Sequence, residues 1–522
     1  MVKSFAGFLF LLMAPRSLMT SMFFVRGDES RPWTPEGYDD DKYPPTPPSD
    51  VDVVIVGGGF SGLTAAYDLQ KAGLTTVVLE AKHLIGGKSR SQKREKGLGY
   101  LEMGATWINE FTQPNVYQLT QEFGLEVVEQ YTDGQTSTVT PEFFITILGC
   151  VRSRWIFQDT NGTVSWNNQD GGGYSFEEFG LILAIEIGAA LLNNTIFDQF
   201  PVEKDVSFAE FIDQLGKWEN PHLQNICRGL TQAIVGREPE DIGAHYFLDY
   251  IKSGQGLTGS LMSETRDGAQ YQWLKNGTTS IATSLAGAMT PGSVLINTPV
   301  TSITQHEDVT VVTAGEGQTF KAKKVVIAMT QNVWKNVVFK PPLPCSKRTL
   351  AANTKPGIYA KVIVTYNQPW WRTAGWVGKL TSFKGPIGFS WEISEESMSL
   401  YALALFIAGD HAARWHALSA PERREAILDH LSELVGEDLA DQARVPLEYE
   451  YVEWTKEEYI MGGPTSSMGP GMLRKYGAAL REPFGSLHFA GTETAYDWKG
   501  YLEGAVTAGQ RAAREIVAEL GA

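Results

Sequence analysis

The stretch that decides the fold is Val51–Ala81, VDVVIVGGGFSGLTAAYDLQKAGLTTVVLEA. Its apolar start is typical of a buried parallel strand, and the residues as far as Lys71 are predicted to form a helix. Between them, Gly57, Gly59 and Gly62 have the G-x-G-x-x-G spacing. The first glycine allows a tight turn, the second lets a pyrophosphate approach the backbone, and the third lets the helix pack on the strand.

A second strand is predicted over Thr76–Leu79, and Glu80 ends it. A carboxylate at this point can hydrogen-bond a ribose hydroxyl. The glycine pattern alone would be weak evidence. Strand, glycine turn, helix, second strand and terminal acid in this order predict a dinucleotide-binding unit, but Glu80 alone does not separate NAD from FAD.

The charge and the cysteines exclude some classes of function. The 522 residues carry 44 basic and 60 acidic side chains, a net charge of −16. We expect no nucleic-acid partner, because phosphate binding needs a basic surface. The three cysteines, Cys150, Cys227 and Cys345, lack metal-ligand spacing, so we expect neither a metal centre nor a disulfide framework.

The N-terminal region is predicted to be a targeting segment. Residues 1–22 contain Lys3 and then an apolar run, Phe5–Met13, which fits a signal peptide and is too short to anchor the chain in a membrane. Residues 23–50 are rich in Pro and Asp and are interpreted as an extended arm. Three Asn-x-Thr sequons agree with secretion, at Asn161, Asn193 and Asn276. The alternatives are an intracellular protein or one that is membrane-associated through this segment.

Further glycine turns follow the first unit. They are LIGGKSRS (Leu84–Ser91) and LEMGATWI (Leu101–Ile108), and HFAGTETAYDWKGYLEGAVTAGQRAA (His488–Ala513) lies near the end of the chain. Together with the first unit they resemble the monoamine oxidase group of flavin amine oxidases, from Val51 to Val517. The stretches LDYIKSGQGL, PGSVLINTPV, KPGIYAKVIVTYNQPWW and WKGYLEGAVTAGQRAA are similar to those of fungal fumonisin amine oxidases, which deaminate a long-chain amine.

The resemblance implies an α/β plus α+β fold of two interleaved domains. A Rossmann-like FAD-binding domain is expected over residues 51–125, 275–350 and 455–522. A mixed-sheet substrate-binding domain is expected over residues 126–274 and 351–454. A homodimer is compatible with the resemblance.

The resemblance also places residues around FAD, with Lys88 where the family has an arginine. The expected cofactor-binding residues are Gly57, Gly59, Phe60, Ser61, Gly62, Glu80, Ala81, Lys82, Gly87, Lys88, Gly104, Ala105, Thr106, Trp107, Val300, Trp454, Gly491, Glu493, Tyr501 and Leu502. Pro464 stands where many members attach the flavin to a cysteine. We therefore expect non-covalent FAD.

Three residues match the reacting side of the flavin. Lys361 matches a lysine that bonds flavin N5 through a water, although the residues alone leave an edge-strand lysine equally open. Gln270 lines the amine pocket, and Tyr501 is one wall of an aromatic cage. Thr465 stands where the second wall would be, and half a cage should admit bulkier amines.

The resemblance implies oxidative deamination of a primary amine, with ammonia released and O2 reduced to hydrogen peroxide. One alternative is a polyamine or L-amino-acid oxidase on the same fold. An amino-acid oxidase needs an arginine for the carboxylate, and Arg266 and Arg372 are candidates. The alternative of another class is a non-catalytic flavin-binding protein.

Overall fold

A computed structural model describes residues 49–131, 154–167 and 175–522. The predicted signal peptide, nearly all of the predicted arm, and Cys150 lie outside these residues. The strands are β1 Asp50–Val56, β2 Thr76–Leu79, β3 Ser91–Lys93, β4 Tyr100–Glu102, β5 Trp107–Ile108, β6 Val127–Glu129, β7 Arg154–Gln158, β8 Val164–Asn167, β9 Gln272–Leu274, β10 Val294–Leu295, β11 Val300–Gln305, β12 Thr310–Ala314, β13 Gln318–Ile327, β14 Val338–Lys340, β15 Thr354–Pro356, β16 Tyr359–Tyr366, β17 Trp376–Ser382, β18 Phe389–Glu392, β19 Tyr401–Ala408, β20 Glu448–Glu453, β21 Ser466–Met468 and β22 Leu487–Phe489.

The helices are α1 Phe60–Lys71, α2 Pro114–Glu122, α3 Phe176–Ala190, α4 Phe208–Gln214, α5 Pro221–Val235, α6 Ala244–Ser253, α7 Thr279–Ala288, α8 Cys345–Ala352, α9 Trp370–Thr373, α10 Gly409–His416, α11 Ala420–Val435, α12 Glu437–Ala443, α13 Met472–Tyr476 and α14 Leu502–Leu520. Within the described ranges, none of the helices has the length and hydropathy needed to cross a membrane.

The first large sheet has the order β10-β2-β1-β13-β12-β11-β14, and β22 also pairs with β13. Strands β10, β2, β1, β13 and β22 run parallel. Val53 and Ile55 face a core built with α1 and α14, whereas Val54 and Val56 face a second core on the other side. Because both faces are covered, β1 is an apolar run without alternation, as the sequence predicted.

The second large sheet has the order β20-β16-β19-β18-β17-β7-β8 and is mostly antiparallel. Strand β16 lies between β19 and β20, and all of its residues are buried. Ala360 and Val362 contribute to one core, and Tyr359 and Ile363 contribute to another. Lys361 is therefore on a central strand, which excludes the edge-strand alternative.

A helical core packs beside these sheets. Residues of α3 to α6 form it together with Trp498 and Leu480. The two sheets confirm the predicted Rossmann-like and mixed-sheet architecture. The exact domain boundaries stay a prediction.

Candidate active site

Two glycine turns meet at the carboxyl end of β1. Gly57 has φ of +104°, and a Cβ on Gly62 would lie 2.0 Å from the Gly57 carbonyl oxygen. Gly59 forms a parallel bridge with Gly86. A Cβ added to Gly59 would have the Gly87 Cα, 3.8 Å away, as its nearest neighbour. Gly62 is therefore required for packing, whereas Gly59 leaves space in front of α1. Both roles agree with the predicted pyrophosphate turn.

The Gly59→Ala substitution should separate the pyrophosphate site from the fold. Gly59 has φ of −76°, and the protein itself leaves room for a methyl group there. We expect a folded protein whose FAD affinity falls about tenfold or more, because the methyl group occupies the space that a phosphate would take. Circular dichroism and flavin titration of the apoprotein measure both properties.

The matched control is Gly287→Ala in α7, where an added Cβ meets nothing within 4 Å. It should leave flavin affinity unchanged. Equal affinities of the Gly59→Ala variant and the wild type would show that the phosphates do not lie at this turn.

The first turn of α1 is free for an anion within the described structure. It has no side-chain cap and no acidic residue in its first turn. The N-terminus of a helix attracts negative charge, and its first amides are available as donors. Phe60 and Ser61 are buried here, and the Ser61 hydroxyl accepts a hydrogen bond from Gly491 N at 2.9 Å. The C-terminal segment thus meets the glycine turn directly.

Glu80 follows β2, as predicted, and the structure places it beside the glycine turn. Its carboxylate accepts hydrogen bonds from Gly58 N at 2.7 Å and from Lys82 N at 2.8 Å. Burial raises the pKa of Glu80, and these amides oppose that rise. The Lys82 ammonium forms an ion pair with Glu457. If Lys82 contacts a ribose as expected, its ammonium would bind the ribose and Glu457 at the same time.

Glu493 connects the C-terminal segment with the second glycine turn. Its Oε1 accepts a hydrogen bond from the Lys88 ammonium at 3.2 Å, and Lys88 also donates to the Pro464 carbonyl at 2.7 Å. The other carboxylate oxygen, Oε2, is buried and has no hydrogen-bond partner among the described residues. A buried carboxylate oxygen needs a donor, and a hydroxyl of the cofactor would supply one.

These features together fit FAD. The glycine turns and the start of α1 would hold the pyrophosphate, Glu80 would hold a ribose, and Glu493 would accept from a hydroxyl group. When bound, the flavin supplies the redox chemistry, and the protein supplies binding and orientation.

Lys361 is fully buried beside the turn that follows β4. Its ammonium donates to the Gly104 carbonyl at 3.0 Å and to the Thr106 hydroxyl at 2.6 Å. It also lies 5.6 Å from the centre of the Trp107 ring and 5.1 Å from that of Phe406. Burial lowers the pKa of Lys361 to about 7. The predicted flavin-side segment and the predicted lysine are therefore in direct contact.

Glu102 was not predicted, and it is the charge that opposes the desolvation of Lys361. Burial raises the pKa of Glu102 to about 7, although Ser91 and Thr278 donate hydrogen bonds to it. The Thr278 hydroxyl also lies 2.9 Å from the Ala105 carbonyl oxygen. A buried acid two residues before Gly104 gave no local signal in the sequence.

The amine-side residues are buried together with further tyrosines. Gln270 donates to the Leu261 carbonyl at 3.1 Å, and its Oε1 finds no partner in the described part of the chain. The Tyr501 ring centre lies 6.5 Å from that of Tyr250. The Thr465 hydroxyl lies 3.3 Å from the Tyr246 hydroxyl. The sequence did not single out Tyr246 or Tyr250, which lie one helical turn apart on α6.

A buried ion pair joins α6 to the segment that carries Tyr501. The Lys499 ammonium contacts the Asp249 carboxylate, and both side chains are nearly inaccessible. Trp498 N also donates to the Ser253 carbonyl at 2.7 Å. Because 250 residues separate Asp249 from Lys499, no local pattern could have indicated this pair.

Three further predicted residues are Trp454, Val300 and Leu502. Trp454 is buried and donates to the Met103 carbonyl at 3.1 Å. Val300 begins β11, and Leu502 begins α14. Arg372 forms ion pairs with Glu392 at 2.7 Å and Glu396 at 2.5 Å, so it is already engaged by carboxylates of the protein.

Comparisons with known proteins identify the family of the chain. The family model "Flavin containing amine oxidoreductase" matches residues 60–517. The chain is 29% identical to the flavin-containing amine oxidase B of Sus scrofa over 485 residues, which cover 91% of this chain and 87% of the relative.

Two solved structures are similar throughout. Cyclohexylamine oxidase from Brevibacterium oxydans has a TM-score of 0.80 and 29% identity, with 91% of this chain and 100% of that chain covered. Putrescine oxidase in complex with putrescine has a TM-score of 0.80 and 25% identity. The match covers 90% of this chain and 100% of that chain. The nucleotide turn, the buried lysine and these matches lead to one conclusion: the chain belongs to the flavin-containing amine oxidase family and is an FAD-dependent amine oxidase.

Proposed function

We propose that this enzyme deaminates a long-chain primary amine of the fumonisin type, with FAD held non-covalently. The observation that carries the proposal is Thr465, a small side chain where a second aromatic wall would otherwise restrict the amine site. The carbon chain of a long substrate adds binding energy that a small amine lacks. Gln270, whose Oε1 is unpartnered among the described residues, would accept an N–H of the amine.

The charges near the tyrosines support a monoamine over the two alternatives. Asp249 and Glu493 are each paired with a lysine, which reduces the negative charge that either could offer to a second amino group of a polyamine. Arg372 is engaged by Glu392 and Glu396, which argues against its binding an amino-acid carboxylate. Family membership argues against a non-catalytic flavin protein.

A panel of straight-chain primary amines, with spermine and leucine, tests this proposal through peroxide production. We expect kcat/KM to increase with chain length and to exceed the values for spermine and leucine. The rate should also rise with pH between about 6 and 9, because the amine must lose its proton before oxidation. Fastest turnover of spermine or of leucine would overturn the proposed substrate class.

The non-covalent linkage is tested by denaturation. Pro464 has no nucleophilic side chain, so precipitation with acid should release all of the flavin into the supernatant. A yellow pellet would show a covalent bond. Bound flavin in the native holoenzyme, measured before precipitation, is the reference.

We also propose that the protein is secreted. Lys3 and the apolar run that follows it support a signal peptide, and the sequon residues Asn161 and Asn193 are exposed. Expression in a eukaryotic secretory host should yield protein in the medium that loses mass with an N-glycosidase. Retention of the full-length chain inside the cell would contradict the proposal.

A further inference from the structure

Tyr359 lies beside the reacting centre, although the sequence did not identify it. It is two residues before Lys361 on β16, so both side chains project from the same face of the strand. Along a strand, two residues span about 7 Å. The Tyr359 ring packs against Phe406, with centres 6.1 Å apart, and Phe406 also lies against the Lys361 ammonium.

Tyr359 also borders the turn in which the second aromatic wall is missing. A Cβ on Gly463 would lie 4.0 Å from the Tyr359 Cβ, and Gly463 is two residues before Thr465. The Tyr359 hydroxyl donates to the Ala233 carbonyl at 3.2 Å, which fixes the ring. Tyr359 as a whole residue is 8% exposed.

The phenols of this region influence one another electrostatically. Burial and then the Tyr501 phenol raise the pKa of Tyr359. Burial also raises the pKa of Tyr250, and the phenols of Tyr501 and Tyr359 add to that rise. Together with the strand face that Tyr359 shares with Lys361, this coupling favours a position of Tyr359 at the amine site.

We propose that Tyr359 supplies the second aromatic ring of the amine site, from a strand position, in place of Thr465. This inference rests on the proposed amine oxidation. The amine nitrogen would lie between Tyr501 and Tyr359, and the space beside Thr465 would be left for substituents on the carbon chain. The enzyme then keeps two rings for orientation while it accepts a bulky substrate.

Tyr246 is the competing ring, and its geometry is less suitable. It meets Thr465 through its hydroxyl, at 3.3 Å, and not through its ring face. Its ring centre lies 6.3 Å from Tyr250, which in turn lies 6.5 Å from Tyr501. Tyr246 is therefore a matched control, since it is a buried tyrosine of the same region.

Anaerobic stopped-flow measurement of flavin bleaching tests the proposal, with the primary amine that the wild-type holoenzyme oxidises fastest. We expect Tyr359→Leu to lower the limiting rate of flavin bleaching about tenfold, because the amine would lose its contact with one aromatic ring. Tyr359→Phe keeps the ring and loses only the hydrogen bond of the hydroxyl. Its limiting rate of flavin bleaching should therefore stay within about twofold of the wild-type rate. Tyr246→Leu should cost less than Tyr359→Leu, and the reverse order would overturn the assignment.

The Thr465→Tyr variant gives an independent result if Tyr359→Leu does not bind FAD. With Tyr359 already in place, a third ring should slow the oxidation of long amines and should not accelerate that of propylamine. In the Tyr359→Leu background, Thr465→Tyr should restore bleaching. Acceleration of propylamine oxidation by Thr465→Tyr alone would show that the second wall is vacant in the wild type.

The two proposals can fail separately. If the wild-type flavin is bleached by no amine, the proposed function is wrong. If the wild type bleaches and Tyr359→Leu bleaches equally fast, only the role of Tyr359 is wrong.

Discussion

Replacing Lys361 by methionine should lower the rate of amine oxidation about 100-fold or more, the cost of removing a preorganised donor from a buried reaction centre. The Lys361 ammonium orders the turn beside the expected flavin through Gly104 and Thr106. Methionine fills similar volume, so the fold and the flavin content should persist. Stopped-flow measurement of flavin reduction and of reoxidation by O2 shows which half of the cycle needs the ammonium.

Lys347 provides the matched control. It is as buried as Lys361, it donates to the Ala479 carbonyl, and burial lowers its pKa to about 7 as well. It lies over the ring of Phe489, which belongs to a core of the parallel sheet. Lys347→Met should keep the wild-type rates. An equal loss in both variants would indicate that the effect comes from removing any buried lysine.

Replacing Asp249 by asparagine should destabilise the protein strongly. Removal of one partner of a buried ion pair leaves the other charge without compensation, at a cost of about 3–5 kcal/mol. Burial already lowers the pKa of Lys499, and Asp249 opposes that effect. Loss of Asp249 lowers that pKa further, so the variant should be less destabilised at higher pH, where Lys499 is neutral in the folded state. The urea midpoint, measured by tryptophan fluorescence at several pH values, tests both effects.

The double variant Asp249→Leu/Lys499→Met separates charge from packing. It removes both charges and should recover most of the lost stability, as apolar replacements of buried pairs often do. The surface pair of Arg444 and Asp429 gives a control, because exposed pairs contribute about 0–1 kcal/mol. Equal urea midpoints for Asp249→Asn and Asp429→Asn would contradict the prediction.

The parts of the site that follow strand alternation or a glycine turn could be predicted from the sequence. Gly62 is predictable because its spacing from Gly57 has a steric cause, and Glu80 is predictable because it ends the strand that pairs with β1. Lys361 is placed by its resemblance to a known motif, since apolar neighbours alone did not distinguish a central strand from an edge strand. The strand partners of Lys361, Phe406 on β19 and Val452 on β20, lie 45 and 91 residues further along the chain, and they decide that question.

Long-range pairs could not be predicted in this way. Glu102 and Thr278 meet only after the chain has folded, and so do Asp249 and Lys499. Tyr359 could have been found by alternation, because a residue two positions before a site lysine on a strand shares its face. The resemblance to the family points instead to position 465, where this chain has a threonine without a ring.

The hydrogen bond between Gly491 N and the Ser61 hydroxyl has a consequence for biosynthesis. Strand β22 completes the parallel sheet at β13, and Gly509 of α14 packs so closely on α1 that a Cβ there would lie 2.2 Å from the Ser61 carbonyl oxygen. A nascent chain that ends before Leu487 lacks Glu493 and this helix. The contacts that Glu493 and this helix are expected to make with FAD can therefore form only once both segments have been synthesised.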